Sequence, residues 1–201
     1  MPCNHVHTNV LKRMDIMIEI LLTALWLMLP AYIPNSTAAV FGGGRPLDGG
    51  KTLKDGRRIL GDGKTFRGLI AGTVCGVLLG LLQMYYLSRQ TTIFGIGLPS
   101  FGEMPGALVV IFALAFGALL GDLSMSFFKR RLGLKRGAPL PGVDQLDFVL
   151  GAWVLTYIVA PSWFTANFTF YVALAVILVT PLLHVSTNIV GYLIGVKKEP
   201  W

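Results

Sequence analysis

The sequence predicts an all-α, polytopic integral membrane protein, and three observations carry that expectation. Of 201 residues, 54% are hydrophobic and 13% are charged, about half the charged share of an ordinary soluble domain. The apolar residues gather into runs that can cross a hydrocarbon core of about 30 Å at about 1.5 Å per helical residue. Most of the charges lie in two loops between those runs, where they meet water instead of lipid. Cys3 and Cys75 are too few and too far apart for a disulfide framework or a zinc site.

Residues 1–15 are polar and irregular and are expected to form a flexible terminus, although His5 and His7 alternate in a way that suits weak metal binding. Residues 16–201 are expected to form one transmembrane domain of five spans. The first, 16–33, is apolar apart from Glu19 and Thr23. A polar loop at 35–68 follows, rich in glycine and carrying seven lysines and arginines. The second span, 69–87, has Gly72, Gly76 and Gly80 at four-residue spacing, which lets helix backbones approach closely in lipid. A linker with few charges leads to the third span, 107–128, and then to the second basic loop, 129–147. The fourth span is expected at 148–164 and the fifth at 168–194, with a kink at Pro181. Fourteen of the 17 lysines and arginines fall on the side of the two loops and the carboxyl terminus. The positive-inside rule therefore predicts a cell-membrane protein with cytoplasmic loops and an outside amino terminus.

Within this frame, two stretches carry chemistry. In the first, Gly61-Asp62-Gly63-Lys64-Thr65-Phe66-Arg67-Gly68 resembles a P-loop only at Gly-Lys-Thr. The first glycine of that pattern would fall at Arg58, and no buried strand precedes it, so a Walker fold is excluded. Bare glycine amides, the Lys64 cation and the Thr65 hydroxyl ahead of a helix still make a phosphate cradle. Gly42-Gly43-Gly44 reads either as a tether or as backbone that approaches a ligand where no side chain fits.

The second stretch runs from Gly121 to Asp147. At about 100° per residue, Asp122, Ser126 and Lys129 face one way on a helix. Asp122 is costly inside a membrane and reads either as a functional acid or as one hydrogen-bonded to a neighbouring helix. Pro141-Gly142 ends the loop, and Asp144 and Asp147 then fall three apart in the first turn of the fourth helix. They read either as helix caps or, with Asp122, as ligands of a Mg²⁺ ion shared with a polyphosphate, since hard oxygen donors suit that cation. Lys129, Arg130 and Arg131 read either as a membrane anchor or as phosphate ligands. The net positive field of both loops would gather a nucleotide triphosphate and anionic membrane lipids. Nucleic acid is not an expected partner, because the loops lack interleaved aromatics for base stacking. In the fifth span Thr180, His184, Thr187 and Asn188 form a polar stripe, read as interhelical hydrogen bonding or as a contact to a lipid head group.

The order Asp122, Ser126, Lys129-Arg130, Pro141-Gly142, Asp144, Asp147 resembles the carboxy-terminal pattern of the CTP-dependent phosphatidate cytidylyltransferases. The length, the five spans and the segment from Asp55 to Gly68 are more similar to the archaeal branch, the CDP-archaeol synthases. Two departures from the bacterial and eukaryotic pattern, the missing His-Gly-Gly after Pro-Gly and the missing extra helices, bear on the lipid substrate more than on the chemistry.

The resemblance implies transfer of a cytidylyl group from CTP to an isoprenoid glycerol phosphate, with phosphatidate as the alternative acceptor. It implies catalytic roles for Lys129, Arg130 and Asp144, and Mg²⁺ on Asp122, Asp144 and Asp147. It also implies CTP contacts from Asn35, Gly42, Gly43, Gly44, Asp62, Lys64, Thr65, Arg67, Ser126 and Lys129. A small anion transporter is the alternative from another class, but it would be expected to show repeated halves and midplane polar groups. The sequence has no visible repeat.

Overall fold

The computed structural model describes residues 3–195 apart from 135–137, 139 and 141, with side chains from residue 13 onward. Lys135, Arg136, Pro141, Lys197 and Lys198, and the side chains of His5 and His7, lie outside the described residues. The elements are α1 (Cys3–Phe41), α2 (Phe66–Arg89), a hairpin of β1 (Thr92–Ile93) and β2 (Ile96–Gly97), α3 (Gly106–Arg131), α4 (Asp147–Val159), α5 (Pro161–Asn167) and α6 (Phe170–Leu193). The segment Arg13–Phe41 of α1 and all of α2, α3 and α6 are long and apolar enough to cross a membrane, and α4 is a shorter apolar helix. The molecule is a polytopic membrane protein.

The sequence-based boundaries change in three places. The backbone is helical from Cys3, where an irregular terminus was expected, because neither proline nor glycine interrupts the chain between Cys3 and Pro30. The first helix also continues past residue 33 to Phe41, so Asn35 sits on α1 and not in the loop. Pro30 and Pro34 lie inside it, and each removes one backbone donor. Trp26 O, the acceptor left over by Pro30, takes a hydrogen bond from Gln83 Nε2 of α2 at 2.8 Å. Such rescue by a neighbouring helix is what makes internal proline tolerable in a membrane.

The third change concerns the fourth span, which is two helices. Pro161 disfavours helical backbone at the residue before it, and Ala160 accordingly takes φ −144°, ψ 60°. α4 stops after 13 residues and α5 restarts with Pro161 in its first turn. Asp144 then lies in the turns leading to α4, ahead of the helix proper, which opens at Asp147.

Two glycine seams hold the long helices together. A Cβ at Gly72 or Gly76 would fall 2.6 Å from Pro34 O or Pro30 O of α1, and one at Gly80 would fall 2.3 Å from Ile111 Cγ2 of α3. The expected close-approach stripe is therefore the face by which α2 meets α1 and α3. A second seam, of the same kind and not anticipated, joins α3 to α4. A Cβ at Gly121 would fall 2.1 Å from Asp147 O, and one at Gly151 would fall 2.3 Å from Gly117 O.

The core lies between α1, α3, α4 and the first half of α6, around Leu27, Met28, Ile111, Leu114, Val149 and Val176. At the end away from the basic loops, Trp26 Nε1 donates to Pro99 O at 3.1 Å and Trp163 Nε1 to Ser100 O at 2.9 Å. The linker between α2 and α3 is thereby pinned by two interfacial tryptophans.

Candidate active site

The first polar loop folds around one carboxylate. The side chain of Asp48 is fully buried and accepts from Arg58 at 2.8 and 3.2 Å and from the amides of Gly50, Leu60 and Gly61 at 2.9–3.1 Å. A buried charge is tolerated when its lone pairs are taken up in this way. The Arg58 guanidinium and the amides hold the Asp48 carboxyl well below the usual carboxylate range. Arg58 also pairs with Asp62 at 2.8 Å, which ties the Gly61–Gly63 turn to the same hub.

Lys64 emerges from this loop in a fixed position. Leu47 N donates to Lys64 O at 2.8 Å and Phe66 N to Arg45 O at 3.3 Å, so the backbone is held on either side of it. Thr65 then caps α2, its hydroxyl accepting from Gly68 N at 3.1 Å. From there the Lys64 ammonium reaches the membrane-embedded part of α3 and pairs with Asp122.

The second loop meets the first through α3. Lys129 Nζ pairs with Asp144 Oδ2 at 2.5 Å and donates to Ala138 O at 2.9 Å, while Leu140 N donates to the same Asp144 oxygen at 2.8 Å. The other oxygen, Asp144 Oδ1, is buried and has no hydrogen-bond partner. Asp147 is brought beside α3 by the close approach at Gly121. Arg131, at the end of α3, clasps the first loop. Its Nη1 lies 2.7 Å from both Asp55 oxygens, its Nη2 donates to the carbonyls of Arg57 and Arg58, and Arg57 Nη1 donates back to Arg131 O at 2.5 Å. Asp55 is held below its ordinary range by the Arg57 amide and the Arg131 guanidinium.

These contacts enclose a cavity of about 230 Å³. Its charged lining is Lys64, Asp122, Asp144 and Asp147. Asn35 of α1 and His184 of α6 also line it, and Ala38, Ala39, Leu69, Leu119 and Leu123 form an apolar wall. The Oδ1 of Asn35 is buried without a hydrogen-bond partner.

Of the predicted site residues, Asn35, Lys64, Thr65, Asp122, Asp144 and Asp147 line this cavity. Lys129 stands behind Asp144. Gly42, Gly43, Gly44, Asp62, Arg67, Ser126 and Arg130 are not on its wall. Gly43 and Gly44 take φ of +102° and +76° just after α1, a helix stop that suits glycine. Arg130 donates to Leu134 O, and Arg67 is exposed.

The three carboxylates expected to hold a metal share the cavity, but among the described residues no group of three such side chains is set to hold an ion by itself. Two of the three are engaged by lysines instead. The polar stripe of the last helix also divides. Thr180 bonds Tyr32 of α1 at 2.8 Å, His184 and Asn188 turn inward, and Thr187 bonds its own helix at Leu183 O, 2.9 Å.

Sequence reasoning missed Asp48 and the Gly117, Gly121, Gly151 seam. The seam had a signal in the four-residue spacing of Gly117 and Gly121, the same spacing that marked α2. Asp48 had none, since all its partners but Gly50 lie ten to thirteen residues downstream with no period.

A helical membrane bundle with a cavity among its helices lined by three carboxylates and a lysine is the architecture of an intramembrane enzyme. Comparison with known proteins gives the particular kind. Residues 17–201 match the family model described as CarS-like CDP-archaeol synthase, and the chain belongs to that family. It is 65% identical over 175 residues to the CDP-archaeol synthase of Methanosarcina barkeri, covering 87% of this chain and 100% of that one. With the CDP-archaeol synthase of Natronomonas pharaonis it shares 51% over 193 residues, 91% of this chain and 98% of the other. A solved structure described as an intramembrane enzyme for archaeal membrane lipid biosynthesis superposes with a TM-score of 0.67 at 41% identity, covering 84% of this chain and 94% of that one. The protein is thus a CTP-dependent cytidylyltransferase of archaeal lipid synthesis.

Proposed function

We propose that this enzyme transfers the cytidylyl group of CTP to the phosphate of 2,3-di-O-geranylgeranylglycerol phosphate, forming a CDP-lipid and releasing pyrophosphate. The observation that carries the reading is the ion pair of Lys64 with Asp122. It joins the two chemistry-bearing segments at one cavity whose lining is both polar and apolar. The loops and the active site face the cytoplasm in this reading, as the distribution of cations supports.

The acceptor phosphate is already ionised, so one of its oxygens attacks the α-phosphorus of CTP without a general base. A new P–O bond forms as the bond from the α-phosphorus to the bridging oxygen breaks, and pyrophosphate departs. Such a reaction asks the protein mainly to position groups and to offset charge. Lys64 and Lys129 take up triphosphate oxygens, exchanging part of their contact with Asp122 and Asp144, and Gly63 lines the cavity next to Lys64. Arg130 adds positive charge at the same end of α3.

The donor set fits Mg²⁺ shared with the nucleotide more than a cage of protein ligands alone. Three carboxylates reach one cavity, Asp144 Oδ1 is buried without a hydrogen-bond partner, and Mg²⁺ is usually held by one or two carboxylates together with substrate phosphates. Asp144 and Asp147, with Asp122, would hold it, and when bound it supplies charge neutralisation on the triphosphate and the leaving group.

The test is transfer from α-labelled CTP to an ether isoprenoid phosphate or to a diacyl phosphate, with purified enzyme in nanodiscs. CDP-lipid formation that prefers the isoprenoid acceptor and is matched by pyrophosphate is the expected result. Preference for the diacyl acceptor, or no labelled lipid with either, would sink the proposal.

A further inference from the structure

His184 reaches the cavity from α6, a helix separate from the two segments that supply Lys64, Asp122, Asp144 and Asp147. It is the single contribution of α6 to the wall. Asn188 Nδ2 lies 3.3 Å from His184 Nδ1, one helical turn away, and the imidazole stacks on Phe148 of α4 at 6.3 Å between ring centroids. An amide donor at Nδ1 makes that nitrogen the acceptor, which leaves the ring proton on Nε2 as a donor. The ring is therefore oriented on two sides.

Depth matters as well. Asp122 lies nine residues before the end of α3 and His184 nine before the end of α6, which at about 1.5 Å per residue sets both about 14 Å inside the loop-side end of their helices. The first half of α6 is packed into the core through Val172, Ala175, Val176 and Thr180. Beyond Thr180 only Asn188 is buried, while Leu182, Val185, Ile189 and Leu193 are exposed. Among the described residues α6 packs extensively on α1 alone. The second half of α6 thus turns an apolar face outward, and His184 stands on that half of the helix at the cavity wall.

We propose that the Nε2–H of His184 binds the phosphate of the acceptor lipid, whose apolar body lies along the outward face of α6. His184 is then an acceptor-binding residue, with no contact to the nucleotide, and Asn188 positions its ring. This rests on the cytidylyl transfer proposed above and adds the residue that recognises the second substrate. The ligand is a phosphate on an apolar body, so the triphosphate of CTP is the competing source of the same chemistry.

Separate KM values for CTP and for the isoprenoid phosphate distinguish the two in the full-length enzyme in nanodiscs. A hydrogen bond to an ionised group is worth about tenfold to a hundredfold in affinity. His184→Ala is expected to raise the KM for the lipid by about that factor and leave the KM for CTP within about twofold. His184→Gln, which retains a side-chain N–H donor, recovers most of the loss, and Asn188→Leu gives a smaller rise in the same constant. Retained CTP binding by each variant, measured by calorimetry, shows that it is folded. A rise in the CTP constant, a comparable rise in both, or no change in the lipid constant overturns the assignment. Failure of the unaltered enzyme to use CTP would instead remove the parent reaction, before any variant is made.

Discussion

Two carboxylates, one in each polar loop, Asp48 buried and Asp144 half-buried, show opposite ways of using a charge. Asp48 has every lone pair engaged, by a guanidinium and three backbone amides. Asp144 has one oxygen held by Lys129 and Leu140 N, and its other oxygen is buried with no hydrogen-bond partner. Leaving a buried oxygen without a partner costs free energy that a purely structural acid would not carry. The full shell therefore marks a scaffold, and the incomplete shell is what the proposed ligand role of Asp144 requires.

The largest effect expected from this contrast is on catalysis. Asp144→Asn or Lys129→Ala should lower the rate of CDP-lipid formation by about 10² to 10³, the scale for removing one charge-stabilising group, with a small change in thermal unfolding. Retention of the unaltered rate by either variant would break the comparison at the Asp144 end.

Activity also depends on the spacing of α3 and α4, which carries Asp122 to Asp147. Gly121→Ala places a methyl group 2.1 Å from Asp147 O, and the backbone must move to admit it. Overpacking of this kind costs about 1–3 kcal/mol and should lower both activity and melting temperature. A control at Gly106, where a Cβ would meet nothing, should leave both unchanged.

Asp48→Ala should act in the reverse order to Asp144→Asn, costing about 2–4 kcal/mol of stability by stripping partners from buried amides and reducing activity only through loss of the loop. Its pH dependence has a definite sign. The folded carboxyl is held below its ordinary range, so its contribution is present above about pH 4 and is lost as pH falls through the folded value. Limited proteolysis of the loop at falling pH should show protection decaying in the acid range for the unaltered protein, with a flatter profile for Asp48→Asn. An identical profile for both would show that Asp48 is not the titrating hub.

The smallest effect is at Gln83. Replacing it with Leu leaves Trp26 O without its donor and should cost about 1–2 kcal/mol, read as a lower unfolding temperature with KM for CTP unchanged.

Much of the fold was legible because lipid imposes a plain rule. Backbone polar groups must be satisfied within a helix, so a long apolar run can be little else. α2, α3 and α6 appear within a few residues of their expected limits. The errors fall where a neighbour alters the local rule. α1 runs through Pro30 and Pro34 because Gln83 rescues a carbonyl and α2 presents glycines to their turns. The fourth span divides because Pro161 acts on Ala160. At the site, acids and lysines were readable as types, but their pairing was not. Helical phase grouped Asp122, Ser126 and Lys129, whereas the structure gives Asp122 to Lys64 and Lys129 to Asp144.

The amino-acid sequence by itself determined the membrane-spanning helices, the close approach along α2 and the two segments that bear the chemistry, because hydrophobic length, residue size and charge act locally. Only the tertiary structure decided which cation faces which acid, that Asp48 is a hub, and that one turn of α6 delivers His184 to the cavity. Those outcomes depend on distances between residues tens of positions apart, which are set by how closely the glycine seams let the helices meet.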